Sequence, residues 1–169
     1  MRGLFEIHPA TIAESASGMR RLLDGFSADT FGAIFDPGNM IISGRESWPM
    51  AIAILGPYLV HVHVKNVSWR RSDEDHWSWE NDRLQCGTVN WREVITALQA
   101  AGYAGYLSVE DLYGVTLHTT GLIGAQLPEE AQRRVPIRRT LVEDLTFLKT
   151  CLSDASSQAT IAGTSNNTG

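Results

Sequence analysis

Thiols are scarce. The 169-residue sequence has two cysteines, Cys86 and Cys151, far apart and without a CxxC pair. That argues against a disulfide scaffold and makes a reducing cytoplasm the expected compartment. Long apolar runs are missing too. No stretch of about 18 apolar residues occurs and the N-terminus holds no apolar signal core, so the chain is expected to be neither exported nor membrane-spanning. Basic clusters are short (Arg20-Arg21, Arg70-Arg71, and Arg133-Arg134 with Arg138-Arg139) against a net charge of −5. Nucleic acid is therefore not an expected partner. No Gly-rich phosphate loop follows the first apolar segment, which leaves a nucleotide-binding open sheet without support.

What is present is an ordinary globular composition, 43% hydrophobic and 20% charged, at the length of one domain. Strand and helix patterns alternate four times. "GLFEIH", residues 3 to 8, reads as a strand, and Thr11 with Glu14 has the spacing of a capping box opening a helix through Ile12, Ala16, Met19, Leu22, Leu23 and Phe26. "TFGAIFD", residues 30 to 36, is a second strand, followed by a "PGN" turn and a short helix starting near Pro49 that Gly56 and Pro57 stop. "YLVHVHVK", residues 58 to 65, is a third strand, with a long polar loop to about Thr88. Asn90 and Glu93 cap the helix "WREVITALQAA", which ends at Gly102.

"GYLSVED", residues 105 to 111, is the fourth strand. A second long loop leads to a helix from about Pro128, broken at Pro136, and then to a helical stripe of Ile137, Leu141, Leu145, Leu148 and Leu152. From Ser153 the composition turns to Ser, Thr, Ala, Asn and Gly, so residues 1–152 are expected to form the domain and 153–169 a disordered tail. Strands separated by helices imply right-handed crossovers and a parallel sheet. A closed eight-stranded barrel needs about 250 residues, which leaves a small open sheet or part of a barrel.

Each strand delivers ionisable groups at its C-terminal end, where α/β folds place their active sites. They are Glu6 with His8 beyond it, then Asp36, then His61, His63 and Lys65, and last Glu110 beside Asp111. Alternation puts His61, His63 and Lys65 on one face of their strand. Three gathered carboxylates repel one another unless a cation joins them. Carboxylate oxygen with imidazole nitrogen suits Mn²⁺, Mg²⁺, Zn²⁺ or Co²⁺, and the reading is a single-metal centre of Glu6, Asp36, His63 and Glu110. Taken singly these residues have plainer roles: a solvated strand end for Glu6, a turn for Asp36, a packed ring for a strand histidine. It is the recurrence at four strand ends that favours a site.

The stretches "LFEIHPATIAES", "FDPGNM", "HVHVKN" and "GTVNWREVITALQAAGYAGYLSVED" resemble the xylose-isomerase-like barrel family over about residues 3 to 150. The resemblance implies a (β/α)8 TIM-barrel fold, with this chain its C-terminal half, strands five to eight and their helices. With Met1 directly before strand five, the expected origins are a gene fragment, a mis-called start or one part of a split barrel. It also implies ligands Glu6, Asp36, His63 and Glu110, and it selects His63 over His61, because the second histidine of the pair is the ligand in the ketose 3-epimerase branch. Manganese is the first expectation for the ion. Members of that branch often carry a histidine where this chain has Asn39, and an arginine near Trp69, where Arg70 and Arg71 stand alongside.

The activity implied is isomerisation or epimerisation of a sugar or sugar phosphate through a metal-stabilised enediolate, with Glu6 and Glu110 exchanging the proton. His8, Asn39, His61, Lys65 and Arg70 are expected to orient the substrate. The alternatives are a dehydratase resembling inosose dehydratase, phosphodiester cleavage, which the acidic charge disfavours, and a barrel remnant without activity that binds another chain. An isolated half exposes sheet edges, so a homo-oligomer or a complementary N-terminal half-barrel is the expected partner.

Overall fold

A computed structural model of the chain describes residues 1–44, 46–71, 75–110 and 137–165, the segments 137–140 and 157–165 by their backbone alone. In chain order the elements are β1 (Gly3–Glu6), α1 (Ala16–Leu23), β2 (Phe31–Phe35), α2 (Pro37–Ser43), α3 (Trp48–Leu55), a 3-10 turn at Gly56–Tyr58, β3 (Leu59–Val64), β4 (Asn66–Arg71), β5 (Trp77–Asp82), α4 (Trp91–Ala100), β6 (Tyr106–Val109) and α5 (Ile137–Ser165). Four strands form one parallel sheet in the order β1-β2-β3-β6. Glu6 pairs with Ile34, Ile34 with His61, and His63 with Ser108, so these side chains share one face of the sheet. The opposite face carries Ala33, Phe35, Val62 and Val64, all buried under the helices. Met19 and Leu23 of α1, Ala51 and Leu55 of α3, and Val94, Ile95 and Leu98 of α4 complete that core. Among the described residues β1 and β6 are the edges of the sheet, and no helix is long and apolar enough to cross a membrane.

Several local expectations give way. Helix α1 starts at Ala16 with Ser15 as its N-cap, accepting from the Gly18 amide, rather than at Thr11. The Thr11 hydroxyl instead donates to the His8 carbonyl and accepts from the Ala13 amide, closing a turn in competition with the helix. "PGN" is not a turn but the first residues of α2, with Asp36 as N-cap and proline in the first turn. The polar stretch after β3 is largely an antiparallel hairpin, in which Trp69 faces Trp79 across β4 and β5. The Trp69 indole donates to the Ile41 carbonyl, holding the hairpin against α2.

The segment from Ser153, expected to be disordered, continues α5 to Ser165. Its small residues allow close packing, and Cys151 and Ala155 are buried one turn apart. Arg83 to Glu143 and Arg92 to Asp154 tie α5 back to the body of the fold. Of the expected stripe on α5, Leu148 is buried while Leu145 and Leu152 are exposed. The helix from Pro128, the break at Pro136, Asp111 and the end of the chain past Ser165 lie outside the described residues.

Candidate metal centre

The C-terminal ends of the four sheet strands converge. Glu6 is the last residue of β1, Asp36 directly follows β2, His63 is the penultimate residue of β3 and Glu110 directly follows β6. Hydrogen bonding carries the sheet past β6, since the Glu110 amide donates to the Val64 carbonyl. Each of the four residues offers one ligand atom, and these atoms all lie within 4.8 Å of one another. His63 Nδ1 is 3.1 Å from Glu6 Oε1, 3.6 Å from Asp36 Oδ2 and 3.9 Å from Glu110 Oε1.

Asp36 anchors the group. It is wholly buried, and its Oδ1 accepts from the Asn39 amide at 2.8 Å as the cap of α2. Its other oxygen, Oδ2, is also buried; no hydrogen bond of good geometry reaches it, but the Lys65 ammonium stands 2.9 Å away. A buried carboxylate oxygen is costly unless positive charge faces it, and one ammonium does not balance three carboxylates. Three carboxylate oxygens and one imidazole nitrogen are a donor set for a hard or borderline divalent ion, so the residues present fit such an ion.

Electrostatics point the same way. The hydrogen bond from His63 holds the Glu6 carboxyl down to about 2. Asp36, the first influence, and then Glu6 lift the His63 imidazole to about 10. Burial pushes the Asp36 carboxyl above its usual range, against the pull of His63 and Lys65. For Lys65 burial opposes the charge, but the Asp36 charge and the Glu110 hydrogen bond outweigh it and leave the ammonium above its ordinary value.

The remaining expected residues divide. Lys65 is buried beside the four, with Nζ 2.9 Å from Asp36 Oδ2 and 2.6 Å from Glu110 Oε2. His61 packs edge-on against His63 with ring centroids 5.5 Å apart, and burial lowers its pKa, so it stays neutral. Asn39 is buried and its amide nitrogen is already committed, donating to Glu6 Oε1 at 3.1 Å and to the Ile7 carbonyl at 2.9 Å. Its place is as a brace for Glu6 rather than as a free substrate contact. His8 is exposed, its ring bonded to the Pro9 carbonyl. Arg70 is exposed on the hairpin and pairs with Glu80, so neither residue joins the cluster.

One supporting residue had no signature in the sequence. Asn66 is buried after β3, where its amide donates to the Leu84 and Val89 carbonyls and its oxygen accepts from the Val67 and Val89 amides. It ties the hairpin to the start of α4. Gly87 approaches so closely that a Cβ there would sit 2.3 Å from the Asn66 side chain. The Trp91 indole donates to the Lys65 carbonyl at 3.2 Å and fixes the end of β3.

Comparison with known proteins places this geometry. Residues 1–149 match the family model described as xylose isomerase-like TIM barrel. A xylose isomerase-like TIM barrel protein from Mycobacterium smegmatis, solved in complex with magnesium, superposes with a TM-score of 0.64 at 18% identity, over 92% of this chain and 45% of that one. An L-ribulose 3-epimerase gives 0.65 at 16% identity, over 96% and 50%. A mannonate dehydratase from Streptococcus suis serotype 2 gives 0.56 at 15% identity, over 88% and 39%. This chain thus spans half or less of the length of these structures. No curated protein matches the sequence.

Proposed function

Because the chain belongs to the xylose isomerase-like TIM barrel family, we propose that Glu6, Asp36, His63 and Glu110 hold one divalent cation, manganese first, at the centre of a sugar or sugar-phosphate isomerase or epimerase. The observation that carries the reading is the meeting of four ligand atoms within 4.8 Å, from three carboxylates and one imidazole. A bound divalent cation supplies the positive charge that acidifies a C–H beside a substrate carbonyl. Glu6 and Glu110 come from the two edge strands and approach from opposite sides. One takes the proton and the other returns it. Asn39 fixes the orientation of the Glu6 carboxylate for that transfer. Asp36 and His63 serve mainly to hold the ion, and His61 lines the same face as a neutral ring.

A dehydratase on the same groups is the second reading, favoured by the likeness to the mannonate dehydratase fold. Incubation of the protein with a ketose panel and Mn²⁺ in deuterated water separates the two. Deuterium at the carbon beside the carbonyl is the expected result, loss of water supports the dehydratase, and the absence of both refutes an active centre in this chain.

The sheet also reads as strands five to eight of a barrel. Leu4, Phe5 and Tyr106 on its edge strands are exposed, Tyr106 at 80%. Association with a second copy or with a complementary half-barrel follows from that reading, and light scattering should find more than a monomer.

A further inference from the structure

Lys65 is a lysine in a place where lysines are rare. It is 8% exposed, and a buried ammonium survives only when paired. The surroundings are shaped for it. A Cβ on Gly38 would lie 2.6 Å from Lys65 Cγ and 3.3 Å from Cε, so the glycine is what leaves room for the stem. Period-two alternation puts Lys65 on the face of His63, and the Trp91 indole pins its carbonyl.

The ammonium divides the carboxylate oxygens with the imidazole. It takes Asp36 Oδ2 at 2.9 Å and Glu110 Oε2 at 2.6 Å, while Glu110 Oε1 faces His63 at 3.9 Å. Glu110 can therefore keep its bond to Lys65 through one oxygen and still offer the other as a ligand.

We propose that Lys65 is the fixed counter-charge of the metal centre and sets which ionic charge the centre accepts. The proposal rests on the metal reading above. Three ionised carboxylates and one ammonium leave the group at −2, with His63 neutral as a ligand. A divalent ion brings the group to neutrality, and a trivalent ion leaves excess positive charge beside the ammonium. Lys65 thus acts through the ligands as a positioning and charge-balancing residue, without contacting a reacting atom itself.

The test compares the full chain with its Lys65→Met variant, which keeps length and loses charge. Both are stripped with EDTA and titrated with Mn²⁺ and with Tb³⁺ at one pH and ionic strength, by calorimetry and by terbium luminescence. Removing one positive charge favours a trivalent ion more than a divalent one. The expected result is a preference for Tb³⁺ over Mn²⁺ raised about ten-fold or more in the variant. Equal changes for the two ions, or weaker binding of both, would overturn the counter-charge role.

If the parent binds neither ion, the metal reading fails and takes this proposal with it, an outcome distinct from an unmoved preference. A measurement on the parent covers a variant that does not fold. Lys65 and Lys149 are the two lysines of the sequence, so ¹⁵N-lysine labelling yields two ammonium signals. Mg²⁺ should shift the Lys65 Nζ signal, leave it protonated and spare Lys149. An unmoved or deprotonated Lys65 refutes the proposal.

Discussion

Loading the centre with metal should expel a proton, by an amount the structure sets. The Asp36 and Glu6 carboxylates hold His63 at about 10, so in metal-stripped protein its imidazole is charged throughout the neutral range. An imidazole must lose that proton to become a metal ligand. Each bound ion therefore releases about one proton or more at pH 7.5, and the observed affinity falls about ten-fold per pH unit below 10. At pH 7.5 that makes binding about 300-fold weaker than the pH-independent limit.

The same shift fixes a stability window. His63 is raised above its ordinary 6.5, so its contribution to the stripped protein is fully present below pH 6.5 and is lost as pH rises through about 10. At 1.36 kcal/mol per pH unit this contribution is at most about 5 kcal/mol. Calorimetry of Mn²⁺ binding in two buffers of different ionisation enthalpy reads the proton directly. His61→Ala should retain the release, because burial keeps that ring neutral, whereas His63→Ala should lose both the release and most of the affinity. Tight binding with less than half a proton released at pH 7.5 would refute the assignment of His63 as a charged imidazole that becomes a ligand.

Two supporting residues give further tests. Asn39→Ala removes the donor to Glu6 and leaves the Ile7 carbonyl without that bond. The expected cost is about 1–3 kcal/mol in urea unfolding, with weaker Mn²⁺ binding because Glu6 is no longer braced. Asn66→Ala removes four hydrogen bonds, three of which join the hairpin to the segment leading into α4. It should cost about 3 kcal/mol or more, and a loss below 1 kcal/mol would show that the hairpin is held by other contacts.

Legibility followed the range of the forces involved. The parallel sheet and the shared face of His61, His63 and Lys65 follow from alternation, a property of neighbouring residues. So does the cap of α4, where Asn90 accepts from the Arg92 and Glu93 amides as its spacing predicts. Thr11 and Ser15 lie one turn apart, and α1 starts from Ser15, which accepts from the Gly18 amide, while the Thr11 hydroxyl bonds back to the His8 carbonyl. The hairpin is not legible in the sequence because its charged residues obscure the strand pattern, and its pairing, Trp69 opposite Trp79 among others, forms only between segments apart in the chain. The helical continuation past Ser153 depends on packing of Cys151 and Ala155 against the core, which composition does not register.

The chain's own order of residues determined the α/β class, the strand ends that bear carboxylates and imidazoles, and the chemistry those groups prefer, since each is a matter of residue type and short-range periodicity. Only tertiary structure decided that Asp36 lies wholly buried, that Lys65 turns inward to Asp36 and Glu110, and that Asn39 spends its amide on Glu6 while His8 and Arg70 stand apart. Burial and pairing between residues distant in the chain exist only once the strands are side by side.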